Sequence, residues 1–231
     1  MEKDESILIQ HYLNKFNLHD ILSQEIIKNL SLFHFKAGNY LVRANDPVEY
    51  FYFYVEGKSK VFILLENGKS LLVRFYEPFE LVGDVEFVSY EHQICNMQAI
   101  TDVLCIGIKM KILKKYIESN TKLLLFICKS LGHKLATFNM SSAINQMYPL
   151  ENRLASYLTA VSDLNSPMTG RIKDIHTENL TELADILGTS YRQLTRVIKQ
   201  FKDQGILDRV GKKFKILDTQ QMQNLSRDIY S

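Results

Sequence analysis

The stretch NLTELADILGTSYRQLTRVIKQFK, residues 179–202, contains two short amphipathic segments on either side of a glycine. Asn179 and Glu182 form an N-x-x-E pattern, which predicts a capped helix over residues 180–187. Gly188 follows this helix, and glycine readily adopts the positive φ with which many helices end. Two short helices joined by such a turn are typical of a helix-turn-helix.

The second segment, which starts at Thr189 and Ser190, predicts a helix with one apolar and one basic face. Its apolar positions recur every three or four residues: Leu194, Val197, Ile198 and Phe201. Its outward positions hold four cations and no acid before Asp203. Arginine and glutamine can read guanine and adenine in the major groove, while cations and hydroxyls can hold phosphates. We therefore expect these side chains at DNA: Thr189, Ser190, Tyr191, Arg192, Gln193, Arg196 and Lys199.

Two short apolar runs follow the second helix, at residues 205–207 and 214–217. Between them lies Val210-Gly211-Lys212-Lys213, which has the composition of a turn. This pattern predicts a two-stranded wing with a basic tip. Lys212 and Lys213 are then candidates for contact with DNA phosphates.

A long helix is predicted before the DNA-binding region, because residues 110–147 contain no proline and one glycine, Gly132. Ser119 or Asn120 could cap its start. A seam of apolar positions, spaced as in a coiled coil, predicts that the helix joins two copies of the chain: Leu124, Cys128, Leu131, Leu135 and Phe138. A single wide stripe facing the chain's own core would give similar spacing, so the pattern leaves both arrangements open.

The first half of the chain has a different texture, with short helices over residues 6–31 and short β-rich runs over 32–108. Asn67-Gly68 stands between two of these runs and predicts a hairpin in which both turn residues have positive φ. Many short strands with regular turns favour a barrel or jelly roll.

The overall composition excludes several classes of protein. The 28 Lys and Arg against 26 Asp and Glu give a net charge of only +2, so any DNA signal has to be local. Cys95, Cys105 and Cys128 have neither CxxC nor Cys/His spacing, which predicts neither a disulfide nor a zinc site. The N-terminus is acidic and polar, unlike a signal peptide, and no apolar run approaches the ~20 residues that span a bilayer. We expect a cytoplasmic protein with no membrane segment and no cofactor.

With these motifs in place, residues 15–218 resemble the Crp–Fnr family, the cyclic-AMP receptor protein and its relatives. The segment 180–207 is similar to the family's helix-turn-helix, and four glycines match its barrel: Gly38, Gly57, Gly68 and Gly83. The resemblance implies an α+β chain with a cyclic-nucleotide-binding-type β-roll (jelly roll), a long dimerisation helix and a winged helix-turn-helix. We expect these three parts at residues 1–110, 111–148 and 149–231.

The resemblance also implies a function. Family members are sequence-specific transcription regulators, so we expect a homodimer on a two-fold symmetric operator in double-stranded DNA. A small-molecule effector would bind in the β-roll, and RNA polymerase would be a partner if the chain is an activator. The expected effector pocket includes Gly83, Asp84, Val85, Gln93 and Ile94.

The chain departs from the family pattern in two places. Members that bind cyclic AMP carry Gly-Glu-Leu in the phosphate cassette, followed by Arg-Ser or Arg-Thr. Here the cassette is Gly83-Asp84-Val85 and the later pair is Gln93-Ile94, so the cation that would neutralise the cyclic phosphate is absent. We expect an effector other than cyclic AMP. In the DNA-reading helix, Arg192 replaces a family glutamate that accepts from cytosine, while Arg196 matches a base-reading arginine, so the usual half-sites are not expected.

Two other classes of protein fit this sequence less well. A cupin-like β-roll metal enzyme needs a histidine pair and further ligands, but His34 and His92 stand alone, and with Cys95 they are better explained as core or surface groups. The cysteines do not match the iron–sulfur sensors of the family, because none precedes Cys95. A ligand-binding protein that does not touch DNA is opposed by the basic helix face. The sequence therefore predicts a regulator and not an enzyme.

Overall fold

The computed structural model describes residues 2–89, 92–162, 175–176 and 179–226. The chain divides into two compact units. The first comprises Met1–Val61 with Tyr76–Thr137, and the second comprises Phe62–Phe75 with Phe138–Ser231.

The first part of the chain consists of short N-terminal helices, eight strands and two further helices before the long helix. The helices are α1 (Glu2–Lys15), a 3-10 turn (Leu18–Asp20), α2 (Gln24–Ile27), α3 (Asp84–Ser89), α4 (Met110–Ile117) and α5 (Thr121–Met147). The strands are β1 (Ser31–Phe35), β2 (Tyr40–Val42), β3 (Tyr50–Glu56), β4 (Ser59–Leu64), β5 (Ser70–Tyr76), β6 (Glu80–Val82), β7 (Asn96–Ala99) and β8 (Val103–Lys109).

The strands form two four-stranded sheets, in the orders β1-β8-β3-β6 and β2-β7-β4-β5. This arrangement confirms the predicted jelly roll. Successive side chains of β3 point to opposite faces of its sheet. Phe51, Phe53 and Val55 pack in one core with residues of α1, α4 and α5. Tyr52, on the other face, lies opposite Gly107 in the register of β3 and β8.

Gly107 is required by close packing. A Cβ atom at this position would lie 2.7 Å from the ring of Phe33 and 2.8 Å from the ring of Tyr52. The two rings meet edge to face, with centroids 5.2 Å apart, a favourable geometry for aromatic pairs. The rings of Phe33 and Tyr52, from the two flanking strands, therefore occupy the space that a side chain at position 107 would need.

The hairpin between β4 and β5 forms as predicted, but its turn is of a different type. Gly68 has a φ of +79°, whereas among described residues other than glycine only Asn17 and Asn45 have positive φ. The Gly68 amide donates to the Leu65 carbonyl at 2.9 Å, which closes a type I turn before the glycine. The expectation of positive φ at Asn67 was therefore wrong, because one extra loop residue lets Gly68 alone make the reversal.

The long helix α5 spans 27 residues, Thr121–Met147, as the sequence predicted. Its start is capped by Asn120, whose Oδ1 accepts from the Leu123 amide at 3.1 Å. The buried positions Leu123 and Ile127 lie in the core of the first unit. Within the described part of the chain, no helix has the length and apolarity needed to cross a membrane.

The rest of the chain forms a small α/β unit. Its elements are α6 (Leu150–Ser162), β9 (Ile175–His176), α7 (Leu180–Ile186), α8 (Tyr191–Asp203), β10 (Leu207–Val210), β11 (Lys213–Ile216) and α9 (Thr219–Ser226). The three strands pair in the order β10-β11-β9. Helix α6 begins directly after Pro149, the last residue before the helix. The ring of Phe75, which belongs to this unit, packs against that of Tyr157 with centroids 5.9 Å apart.

Candidate nucleic-acid interface

Helices α7 and α8 are joined by the short turn that the sequence predicted. The Asn179 side chain caps α7 by accepting from the Thr181 amide at 2.9 Å. Gly188 adopts a φ of +60°, as expected for the end of a helix. Ser190 then caps α8 in a reciprocal capping box with Gln193. The Ser-x-x-Gln pattern in the sequence signals such a box, and this signal was missed.

The turn is also held from the side by α6. The buried guanidinium of Arg153 donates through Nη1 to the carbonyl oxygen of Leu187, which ends α7. A cation at the C-terminal end of a helix is favoured by the helix dipole and meets a carbonyl that lacks a partner within the helix. Ala184 is buried at the level of this turn. Helices α6 and α7 are therefore linked at the element that precedes the DNA-reading helix.

Helix α8 is strongly amphipathic, as predicted. One face is buried in the core of the unit: Leu194, Val197, Ile198 and Phe201. The other face is exposed and carries Tyr191, Arg192, Gln193, Arg196 and Lys199. Thr189 is half-buried and Ser190 exposed. The structure thus brings the predicted side chains of this helix together on one surface, with a predominance of positive charge.

Not every polar group on this surface is equally available. The Gln193 Oε1 accepts from the hydroxyls of Thr189 at 2.9 Å and of Ser190 at 3.2 Å. These three side chains therefore build the start of α8. At the other end of the helix, Lys202 pairs with Asp208 at 2.9 Å, and this hydrogen bond holds the pKa of the Asp208 carboxyl below its ordinary value.

The wing consists of β10 and β11, which run antiparallel from Leu207 opposite Ile216 to Val210 opposite Lys213. β11 begins one residue before the predicted run 214–217, whereas β10 begins at the last residue of the run 205–207 and extends three residues beyond it, so the turn is shorter than predicted. Gly211, with a φ of +62°, forms the tip. Lys212 is exposed and Lys213 half-buried beside it. The predicted basic tip is therefore present on the wing.

The structure divides the five residues of the predicted dimer seam into two groups. Leu124 and Leu131 are half-buried and pack against the core of their own unit. Cys128, Leu135 and Phe138 are exposed. Helix α5 thus carries one face toward its own sheet and another toward solvent.

The predicted effector-pocket residues differ in burial. Gly83, with a φ of +92°, precedes Asp84, which is fully buried and bonded to α5. Val85 is half-buried, whereas Ile94 is 47% exposed. Gln93 is buried and instead lines a cleft of about 330 Å³ together with Arg43, Asp46, Glu49, Tyr50, Tyr52 and others.

The histidines and cysteine weighed as metal ligands lie apart. The His34 Nε2 lies 3.7 Å from the Asp102 carboxylate, which also accepts from Lys36 at 2.7 Å. His92 is exposed, and burial raises the pKa of the Cys95 thiol to about 12. Across the described ranges, no group of three histidine, cysteine or acidic side chains is placed to hold a metal ion.

Comparison with known proteins matches each half of the chain to a known domain family. Residues 32–120 match the family of cyclic nucleotide-binding domains, and residues 152–225 match the Crp-like helix-turn-helix domain. The chain belongs to the Crp–Fnr family of DNA-binding transcription regulators, which are not enzymes.

Individual relatives agree with this assignment. The chain is similar to the regulatory protein YeiL of Escherichia coli O157:H7, with 27% identity over 91% of this chain and 92% of that one. It is 19% identical to the CRP-like cAMP-activated global transcriptional regulator of Mycobacterium tuberculosis, over 87% and 91% of the two chains. A solved structure of a Crp/Fnr family transcriptional regulator from Eubacterium rectale has the same fold, with a TM-score of 0.78, 17% identity and coverage of 93% and 99%.

Proposed function

We propose that the chain is a sequence-specific regulator that inserts α8 into the major groove of DNA. The observation that carries this proposal is the exposed basic face of α8 above a fully apolar buried face. Arg192 and Arg196 lie one helical turn apart in its N-terminal half, the part that reaches base edges in this motif. Both can bond bidentately to guanine. Lys199, Lys212 and Lys213 are assigned to phosphates, with Tyr191 and the hydroxyls of Thr189 and Ser190 beside them.

We further propose that the protein acts as a homodimer through α5. Five large apolar side chains among the described positions of this helix are more than half exposed: Leu125, Leu135, Phe138, Met140 and Met147. Exposed apolar side chains clustered on one helix mark an interaction surface, and a second α5 is the matching partner for the coiled-coil spacing of Leu131, Leu135 and Phe138. A helix of 27 residues is about 40 Å long, enough to separate two DNA-reading heads by one turn of DNA, ~34 Å. The operator is then two-fold symmetric.

The effector, in this proposal, is a small molecule other than cyclic AMP. A buried cyclic phosphate needs a cation, but Gln93 and Ile94 supply none. The cation that does lie beside the cassette, Lys134, is already paired with Asp84. The relative from Mycobacterium tuberculosis is named for activation by cAMP, so this part of the proposal needs its own measurement.

The remaining assignments follow from this role. We propose that the sensor, the dimerisation helix and the DNA-binding region span residues 1–110, 111–148 and 149–231, as the sequence predicts. A regulator of this kind acts in the compartment that holds the DNA, which we take to be the cytoplasm. If it activates transcription, RNA polymerase is a further partner.

The decisive experiment is selection of bound sequences from random double-stranded DNA by the purified full-length protein, with and without a cell extract. We expect enrichment of an inverted repeat with half-sites one helical turn apart. Arg196→Ala should relax the selected sequence at one position in each half-site, while Lys122→Ala, on an exposed position of α5, should leave the selected sequence unchanged. Absence of any enriched sequence under both conditions would contradict the proposal and favour a ligand-binding protein that does not touch DNA.

A further inference from the structure

A buried carboxylate and a buried ammonium meet where the sensor cassette contacts the long helix. Asp84 opens α3 and is fully buried. Its Oδ1 accepts from the Val85 amide at 3.1 Å, and its Oδ2 accepts from the Ser130 hydroxyl at 2.7 Å. The Lys134 ammonium donates to the same Oδ1 and, at 2.8 Å, to the carbonyl oxygen of Leu81. Both oxygens of the carboxylate are therefore satisfied by this chain alone.

Two of the donors come from one face of α5. Ser130 and Lys134 are four residues apart, so they lie one above the other on the helix. The side chain of Lys134 is only 15% exposed, and its ammonium lies 5.4 Å from the centre of the Tyr76 ring. The contact joins segments about 50 residues apart in sequence, the turn after β6 and the middle of α5.

The Asp84 carboxylate or the Lys134 ammonium, buried here without the other, would strongly destabilise the folded state. An isolated buried ion costs several kcal/mol, and removal of one partner of a buried pair typically costs about 3–5 kcal/mol. Burial alone lowers the pKa of Lys134, but the adjacent Tyr76 hydroxyl and Asp84 carboxylate raise it to about 12. Lys134 is therefore charged at neutral pH, and the pair holds as an ion pair.

We infer that Asp84, Ser130 and Lys134 form a built-in clasp, which joins the cassette to α5 without any bound molecule. The inference rests on the proposed function for its consequence at DNA. Leu135 and Phe138, which are exposed on α5, lie one and four residues after Lys134 in the helix. The clasp thus fixes the segment of α5 that presents the dimer surface, so the ligand-free protein should bind its operator and the proposed effector would modulate that binding. Lys134 is a positioning residue in this device.

The test compares four full-length proteins, freed of ligands by dialysis and checked by mass spectrometry under denaturing conditions: wild type, Lys134→Met, Asp84→Asn and the double variant. Amide hydrogen exchange is followed in α3 and around Ser130. Each single variant should speed exchange there by roughly 100-fold, because a lone buried charge opens the junction. The double variant should fall nearer to wild type, because no uncompensated charge remains. Equal exchange in wild type and both single variants would overturn the clasp.

Operator affinity, measured by fluorescence anisotropy, tests the consequence. We expect the ligand-free wild type to bind and each single variant to bind at least about 10-fold more weakly, in line with the size of allosteric couplings. Binding by the wild type only after addition of a cell extract would overturn ligand-free competence.

Two further variants keep the result interpretable. Arg196→Ala should weaken operator binding with unchanged exchange at the clasp, which separates DNA reading from the junction. If no DNA binds the wild type, the proposed function fails, while the exchange measurement still decides whether the clasp exists. Should a single charge variant fail to fold, Ser130→Ala removes one charge-assisted bond and should speed local exchange by about 10-fold. Unchanged exchange in that variant would count against the clasp.

Discussion

The Ser190 hydroxyl accepts a hydrogen bond from the backbone N–H of Gln193 at 3.2 Å, and the backbone N–H of Ser190 donates in return to the Gln193 Oε1 at 3.4 Å. These two residues, both expected to face DNA, therefore also define where the DNA-reading helix begins. The direction of that first turn determines where Arg192 lies. If α8 binds DNA as proposed, DNA affinity and the stability of α8 both depend on this pair of side chains.

Loss of this cap should be measurable in the absence of DNA. We expect Ser190→Ala to lower the free energy of unfolding by ~0.5–2 kcal/mol, the usual cost of removing an N-cap. Ser190→Thr keeps a hydroxyl at the same place and should cost much less. Urea unfolding of the two variants checks this, and equal stabilities would show that the capping box contributes nothing.

The two arginines of α8 should determine sequence preference. Arg192→Ala or Arg196→Ala is expected to cost ~1–3 kcal/mol on the operator and to relax the preference at one position in each half-site. Binding of each variant to operator and to random DNA at two salt concentrations provides the measurement. If affinity fell equally on both DNAs, these arginines would be phosphate contacts.

The wing lysines serve as the matched comparison. Lys212→Ala or Lys213→Ala should weaken operator and random DNA about equally, because phosphates carry no sequence information. Each loss should also flatten the salt dependence of binding, since fewer counterions are released. A loss confined to the operator would instead make the wing a reader of sequence.

The exposed face of α5 should control assembly. Leu135→Glu places a charge on the proposed dimer surface and should shift the protein from dimer to monomer at micromolar concentration, by sedimentation, without loss of fold. Leu131→Glu should also lower the stability of the monomer, because Leu131 packs in the core of its own unit. Lys129→Glu, an exposed polar position on the same helix, is the control. A wild-type monomer with undiminished operator affinity would refute the dimer proposal.

Glu86 predicts a pH dependence of stability. Burial raises the pKa of its carboxyl above the ordinary 4.5, so the folded state holds this proton more tightly than the unfolded state does. Ionisation of Glu86 therefore destabilises the folded state. This loss of stability is absent below the ordinary pKa, grows as pH rises and is complete above the folded-state pKa. Glu86→Gln should therefore raise Tm at pH near 7.5 and leave it unchanged near pH 4. Identical Tm shifts at both pH values would point to packing as the cause.

Cyclic AMP should bind weakly or not at all. Calorimetry on the full-length protein is expected to give no micromolar affinity, because Gln93 and Ile94 supply no cation and Lys134 is engaged by Asp84. Titration of operator DNA into the same sample is the control for activity. A micromolar or tighter dissociation constant would contradict the proposed effector class.

Local features of the molecule were accessible from sequence. The cap at Asn120 and the positive φ of Gly188 were predicted because each depends on residues within a few positions of one another. The Ser190–Gln193 box was equally local and could have been found from its Ser-x-x-Gln spacing.

Other features depend on contacts that no local pattern encodes. The Asp84–Lys134 pair joins positions 50 residues apart, and a charged residue within an apolar helix seam gives no sign of its partner. For the same reason the sequence could not separate Leu131, which faces its own core, from Leu135, which faces solvent. Spacing defines the stripe on α5, but only the packed structure shows which side of it is covered.

The bare main chain at Gly107 offers an engineering opportunity. Phe33→Ala would remove one of the two rings that lie over this glycine and leave a slot, floored by peptide groups and walled by Tyr52. Phe33 is only half-buried, so this slot would open to solvent, where a small aromatic compound could reach the ring of Tyr52. A planar molecule that restored the lost ring would then make the stability of the β-roll depend on an added chemical, which would place this domain under the control of a synthetic ligand.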